Sequence, residues 1–209
     1  MTFSLIAMDR EHRYIVVAAA TKTEAVGASV PAILPGIGGV VSQAFTNPEL
    51  RQLALQELAK GSGANAALES ALAQDLNPEL RQLAVMDADG VSAVHTGDRC
   101  SEVAGESVQK DCLCVGNLLR NDRVIPAMAK AWLPAANVDE LASRVLDCMD
   151  AAEAAGGDAR GKQSAAMMIA EMVPEPKILR EFRIDDHSEP LLALRDEVTE
   201  WLSAKAPLV

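Results

Sequence analysis

The chain opens Met1-Thr2, and that pair is where its residue types come closest to a self-contained catalyst. A small residue at position two permits removal of the initiator methionine. Threonine would then carry its hydroxyl beside a free α-amine. That amine titrates near about 7.7–8.0, so it can take the hydroxyl proton at neutral pH, and nucleophile and base share one residue. Many proteins begin Met-Thr, so the pair alone names no activity. Other chemistry-bearing stretches read more plainly. GGDARGKQS, at 156–164, nearly spells a phosphate-binding GxxxxGK[ST] loop. Gln163 stands where the magnesium-binding hydroxyl is needed, and the loop follows a helical pattern instead of a strand. His12, His95 and His187 are the histidines, with no HExxH, which leaves a zinc site poorly supplied. GASVP, at 27–31, lacks the second glycine of a nucleophile elbow. Asp185-Asp186-His187 reads as a solvated turn whose acids favour the start of the last helix. Cys100, Cys112, Cys114 and Cys148 form no CxxC pair and read as reduced thiols that fill strands or core.

The elements that must hold these residues follow from hydrophobic period and turn chemistry. Residues 2–8 and 14–21 read as a hairpin around DREHR, and 36–46 as a third strand entered through glycines. Asn47-Pro48-Glu49 supplies a cap, a proline for the first turn and an early acid for a helix that stops at Gly61. A second helix covers 64–75. The octapeptide NPELRQLA occurs at 47–54 and again at 77–84, and its flanks differ at once. The first copy continues into LQELAKG and reads as helix. The second runs into VMDADGVSAVHTGD and reads as strand, turn, strand. CLCVGN at 112–117 is another strand, followed by helices at 121–133 and 137–155. The GGDARG loop leads into the apolar AAMMIAEMV, a strand KILREFRID follows, and Ser188-Glu189-Pro190 caps a final helix to about 204. The order ββ, β, αα, ββ, β, αα, ββ, α calls for two largely antiparallel sheets faced by helix pairs, in one α+β domain over 1–209.

Composition narrows the partners. Lys plus Arg is 19 against 30 Asp plus Glu, a net charge of −11, and aromatics are only 3%. Such a chain repels phosphate backbones and lacks base-stacking platforms, which argues against nucleic acid and anionic membrane. The apolar stretch at 26–41 is interrupted by Pro31 and Pro35, so no transmembrane helix fits it. The start, MTFSLIAMDREHRY, has no long apolar core of a secretory signal. The expectation is a cytoplasmic protein.

Several stretches in order, TFSLIAMD, IVVAAATKTEAVGASVPA, GGVVSQAFTNPEL, RQLAVMDADG, HTGDRC, VGNLL, AAGGDARGKQSAA and FRIDDHSEP, together resemble a bacterial family of uncharacterised N-terminal nucleophile (Ntn) hydrolase-like proteins. The resemblance covers essentially the whole chain. It implies a four-layer αββα sandwich and, with Thr2 as nucleophile, amidohydrolysis of a small-molecule or peptide amide without metal or organic cofactor. On that frame Lys22 is expected beside the Thr2 amine, as a cation that holds it neutral. Thr46 and Asn47 are expected to offer an oxyanion hole where strand gives way to helix. Asn117, Asp158, Gln163 and Ser164 are expected as polar pocket walls. The rival reading is a catalytically inactive Ntn-fold protein that binds a ligand or assembles with partners. A homo-oligomer is expected in either case, a dimer being the simplest. The chain departs from the family pattern at Ala32, where an aromatic is expected, at Leu50, where an aromatic and a glycine are expected, and in a shortened segment before Lys177, and these bear on the pocket's shape.

Overall fold

The computed structural model describes residues 2–101 and 103–205. It opens with the expected hairpin, β1 (Thr2–Asp9) and β2 (Tyr14–Thr21), in antiparallel register from Phe3↔Ala20 to Asp9↔Tyr14. A short helix α1 (Val26–Ser29) leads to a second hairpin, β3 (Pro31–Leu34) and β4 (Gly38–Ala44), then helices α2 (Glu49–Ala59) and α3 (Ala64–Leu72). Next come β5 (Arg81–Asp87), β6 (Ser92–Thr96), β7 (Gly105–Gln109) and β8 (Cys112–Asn117). Helices α4 (Val124–Ala131) and α5 (Val138–Ala154), strands β9 (Ser164–Glu171) and β10 (Ile178–Ile184), and helix α6 (Pro190–Lys205) complete the chain.

The strands form two antiparallel sheets in a mixed α+β fold. One has the order β10-β9-β2-β1-β8-β7, the other β3-β4-β5-β6. β1 is interior and every one of its eight residues is buried. Its side chains alternate between two cores, as the pleat requires. Phe3, Leu5 and Ala7 pack with residues of α4, α5 and α6, whereas Ile6 and Met8 pack between the sheets against Val41, Ala84 and Met86. Both faces are covered, so the strand reads as an unbroken apolar run. A third core joins β4 and β5 to α2 and α3 through Leu50, Ala54, Leu58, Leu83 and Val85. The sheets approach closely at Gly39, where an added Cβ would lie 2.8 Å from Val17 Cγ2. No larger residue fits there without displacing the packed side chains of Val17, Ile15 and Ile6 on the facing sheet.

Two hairpins stand where the sequence pattern shows one strand each. β3 escapes it because it is four residues long and begins at Pro31, an edge-strand feature. β7 is a sheet edge made of GESVQ, which has almost no apolar alternation. The repeated octapeptide divides as expected. Its first copy enters α2, and its second passes from a single 3-10 turn (Pro78–Leu80) into β5. Among the described residues no helix is long and apolar enough to cross a membrane.

Candidate active site

One end of the six-stranded sheet carries a row of polar side chains. Asn117 on β8 is the cross-strand partner of Thr2 on β1, Thr2 Oγ1 donates to Thr21 Oγ1 on β2 at 3.3 Å, and Thr21 is the partner of Ser164 on β9. All four are buried. Ser164 holds the next loop, since its Oγ donates to Thr23 O (2.6 Å) and accepts from Val26 N (3.1 Å). A cleft of about 340 Å³ opens over this row, and its lining includes Thr2, Thr21, Thr23, Glu24, Thr46 and Arg160. That volume suits a small molecule or the end of a peptide. Larger grooves, of about 540 Å³ beside β3 and α2 and about 520 Å³ beside β7 and α4, do not contain Thr2.

Arg160 is the cation of the cleft. It sits in the GGDARG loop, which the glycines fold: Gly157 and Gly161 adopt φ of 54° and 113°, values that side chains rarely tolerate. Asp158, buried in the same loop, accepts from Lys22 N at 2.8 Å and from Arg160 N at 2.9 Å, and pairs with the Arg160 guanidinium at 3.1 Å. One carboxylate therefore fixes both the end of β2 and an arginine that lines the same cleft as Thr2. Lys162 anchors the loop from behind, bonded to Glu153 (2.9 Å) and Glu189 (2.6 Å). Those bonds, Glu189 foremost, raise its pKa.

The duplicated octapeptide braces the cleft walls with its two arginines. Arg51 donates to Pro31 O (2.7 Å) and Ala28 O (3.1 Å), which fixes the segment bearing the lining residues Ser29 and Val30. Burial lowers its pKa. Arg81 donates to Phe45 O, between the lining residues Ala44 and Thr46, and makes a buried pair with Asp75 at 3.0 Å. Burial of the Asp75 carboxyl is outweighed by its bonds from Arg81, Asn47 and Asn77 N, so its pKa falls. Ala25, Ala44 and Leu118 hold positive φ of 54°, 75° and 50°. Leu118 directly follows Asn117, and Ala44 lines the cleft. Strain of this kind gathers where a site over-determines its backbone.

Behind Thr2 lies a buried amide network. Gln43 Nε2 donates to Thr2 O (3.3 Å) and Gln82 Oε1 (2.7 Å), and Gln43 Oε1 accepts from Ser4 Oγ (2.7 Å). Gln82 Oε1 also accepts from Asn117 Nδ2 (3.1 Å), and its amide donates to Gly116 O (3.0 Å). These bonds satisfy polar groups between the sheets and tie the Thr2 carbonyl to β4 and β5.

The residues expected at the site therefore separate. Thr2 and Thr46 line one cleft, whereas Asn117, Asp158 and Ser164 are not in its lining: they are buried beside it, paired with the lining residues Thr2, Arg160 and Thr21. Lys22 does not line it: Lys22 Nζ donates to Gln163 Oε1 at 3.4 Å. Thr21 and Lys22 are neighbours at a strand end and leave on opposite sides. Gln163 is tied to Lys22 and Asp186 outside the lining. Asn47 accepts from Glu49 N (3.1 Å) and turns its amide onto Asp75 (2.7 Å), so it caps α2 and braces Arg81 instead of facing Thr2.

The family model described as "Family of unknown function (DUF1028)" matches residues 2–194. The chain belongs to the DUF1028 family. A crystal structure of the DUF1028 protein SPO2555 from Silicibacter pomeroyi superposes with a TM-score of 0.84 at 32% identity, over 95% of this chain and 85% of that one. The Anbu (Gly-1) mutant from Hyphomicrobium sp. strain MC1 matches at a TM-score of 0.50 and 15% identity, over 100% of this chain and 98% of the other, a likeness of fold alone. A search of curated proteins returns no match. The DUF1028 match runs from β1 into α6, so Thr2, the polar row, Gln43, Gln82 and Arg160 all fall inside it.

Proposed function

We propose that this chain, once Met1 is removed, is an N-terminal nucleophile amidohydrolase with a single four-layer αββα domain. Packing supports the layer order: α4, α5 and α6 share a core with the six-stranded sheet, the sheets share a second, and α2 and α3 cover the four-stranded sheet. The observation that carries the reading is the Thr2 hydroxyl, held at the end of an interior strand by Thr21 and facing a cleft that also holds Arg160 and Thr46. In this mechanism the Thr2 α-amine takes the Oγ1 proton as Oγ1 attacks the amide carbonyl carbon. The same proton passes to the leaving nitrogen as the C–N bond breaks, which leaves an ester on Thr2. Water, deprotonated by the amine, hydrolyses that ester and restores the hydroxyl. Backbone N–H groups at Thr46 are the candidates to face the developing oxyanion. No cofactor takes part in these steps.

The intact mass of the protein purified from its own host reports whether chains begin at Thr2. Mature chains should then be labelled by an amide- or ester-type electrophile such as a β-lactone, with the adduct on Thr2 by peptide mapping. Thr2→Ala should abolish labelling, and Thr2→Ser should retain part of the rate because hydroxyl and amine both survive. A label on Cys100, or no label on mature chains, supports the second reading, a catalytically inactive Ntn-fold binding or assembly protein. One observation favours that rival: the Lys22 ammonium is bonded to Gln163 and is not part of the cleft.

A further inference from the structure

We infer that the cleft over Thr2 takes an amide that also carries a primary ammonium group, with Glu24 as the residue that binds the cation. The inference rests on the reading of this cleft as the substrate site. Among the described residues two ionisable side chains line it, Arg160 and Glu24, beside hydroxyl and small apolar side chains. Arg160 is held by Asp158 through two nitrogens, Nε to Oδ1 at 3.3 Å and Nη2 to Oδ2 at 3.1 Å, so a buried carboxylate already takes up its charge. Glu24 is exposed and makes no hydrogen bond or ion pair among the described residues. Lys22 and Arg183 are engaged elsewhere: Lys22 Nζ donates to Gln163 outside the lining, and Arg183, packed against α1 at Gly27, pairs with Asp185 at 3.1 Å. Asp158, Arg160 and Glu24 together therefore leave one surplus negative charge at the cleft. The backbone on either side of Glu24 is pinned, since Thr23 O accepts from Ser164 Oγ (2.6 Å) and Ala25 N donates to Asp185 O (2.9 Å). A fixed loop thus presents a carboxylate whose hydrogen-bonding capacity is unused. An ammonium, with three donors on a flexible stem, can reach and pair with it. The Thr2 amine does not fill that place during catalysis, because it must be neutral to act as base. A net charge of −11 also draws a cationic substrate towards the molecule and disfavours an anionic one.

The test uses the unreactive Thr2→Ala protein beginning at residue 2, so it does not depend on turnover. Three amides of similar size are titrated by ligand-observed NMR: 4-aminobutanamide, a cation, pentanamide, its neutral isostere, and succinamate, an anion. A pH of about 8.5 keeps the chain's α-amine neutral and an alkyl ammonium charged. The cation should bind about fivefold tighter than pentanamide, the upper end for a solvent-exposed ion pair, and succinamate should bind more weakly than either. Added salt should narrow these differences. Glu24→Gln should bring 4-aminobutanamide and pentanamide to equal affinity. Glu24 has no partner to lose, so this variant should fold as the parent does, and its unchanged affinity for pentanamide reports an intact cleft. Glu11→Gln removes the same charge from the hairpin turn at the other end of β1 and should leave the preference as it is. Absence of a preference for the cation in the parent protein, including failure of all three amides to bind, overturns the inference without any Glu24 variant. A preference that survives Glu24→Gln, or that falls equally in Glu11→Gln, also overturns it. Labelling of Thr2 without cation preference keeps the hydrolase and removes the cation site. Cation preference without labelling keeps the cation site and removes the hydrolase.

Discussion

Thr2 is 3% exposed and its hydroxyl bonds to Thr21. Thr2→Ala removes a buried methyl and the hydroxyl that bonds to Thr21, and the folded state should lose about 1–2 kcal/mol, visible as a modest fall in urea midpoint. Lys22→Ala is the contrasting substitution. Its ammonium meets Gln163 outside the cleft, so the rate of Thr2 labelling should stay within about twofold of the parent, the usual size of a change away from a site. A labelling rate that collapses in Lys22→Ala would return the lysine to the site. The sequence made Thr2 and Thr46 legible because chain position and strand ends suffice for them. Lys22 shows the limit: proximity along a strand does not choose a face, and alternation sends Thr21 and Lys22 apart. Arg160 stands beside Asp158 in GGDARG, but only the folded loop shows the arginine reaching the cleft that Thr2 lines. Gln43 and Gln82 carried a fainter signal, as amides inside runs otherwise apolar enough to be buried.

At the scale of elements, NPELRQLA shows how the same residues take their structure from their surroundings. In α2 the buried positions are Leu50, Arg51, Ala54, Leu55 and Leu58, a helical stripe against the four-stranded sheet. In β5, Arg81 through Met86 are buried without interruption, because the strand lies between α3 and the other sheet. The local string is identical, so the flanking sequence decides: LQELAKG continues a helix, whereas VMDADG offers a β-run and a turn. Gln52 and Gln82 are equivalent in the two copies, yet Gln52 is exposed and Gln82 is fully buried. Gln52→Ala should therefore change stability by no more than about 0.5 kcal/mol. Gln82→Ala strands the Gln43 and Asn117 amides that donate to it, and should cost about 2–4 kcal/mol by chemical denaturation. Equal effects from the two substitutions would mean that the buried amide network contributes nothing. The strands β3 and β7 escaped the sequence pattern for a related reason: each is a short edge, where pairing with one neighbour is enough and apolar alternation is not required.

Across the whole molecule the three cores divide the chain into packed layers, and the thiols report on one of them. Cys112, Cys114 and Cys148 are all fully buried in the core shared by the six-stranded sheet and helices α4 to α6. Cys112 Sγ lies 3.8 Å from Cys114 Sγ, and that contact, with burial and the charges of Cys114 and Cys148, pushes its pKa well up. Burial pushes Cys148 up to about 12, with the charges of Cys114 and Asp147 adding to it and Arg144 opposing. Cys100, partly buried beside β5, is raised too, mainly by desolvation. The thiolate is the reactive form, so Cys100, Cys112 and Cys148 are not activated at neutral pH. Iodoacetamide at pH 8 should leave Cys112, Cys114 and Cys148 unmodified in the native protein while Cys100 reacts slowly. Under increasing urea, pulsed alkylation of the three core thiols should rise together and follow the loss of circular dichroism, because all three need the same core to open. Modification of Cys148 before that loss would show that α5 detaches as a separate unit.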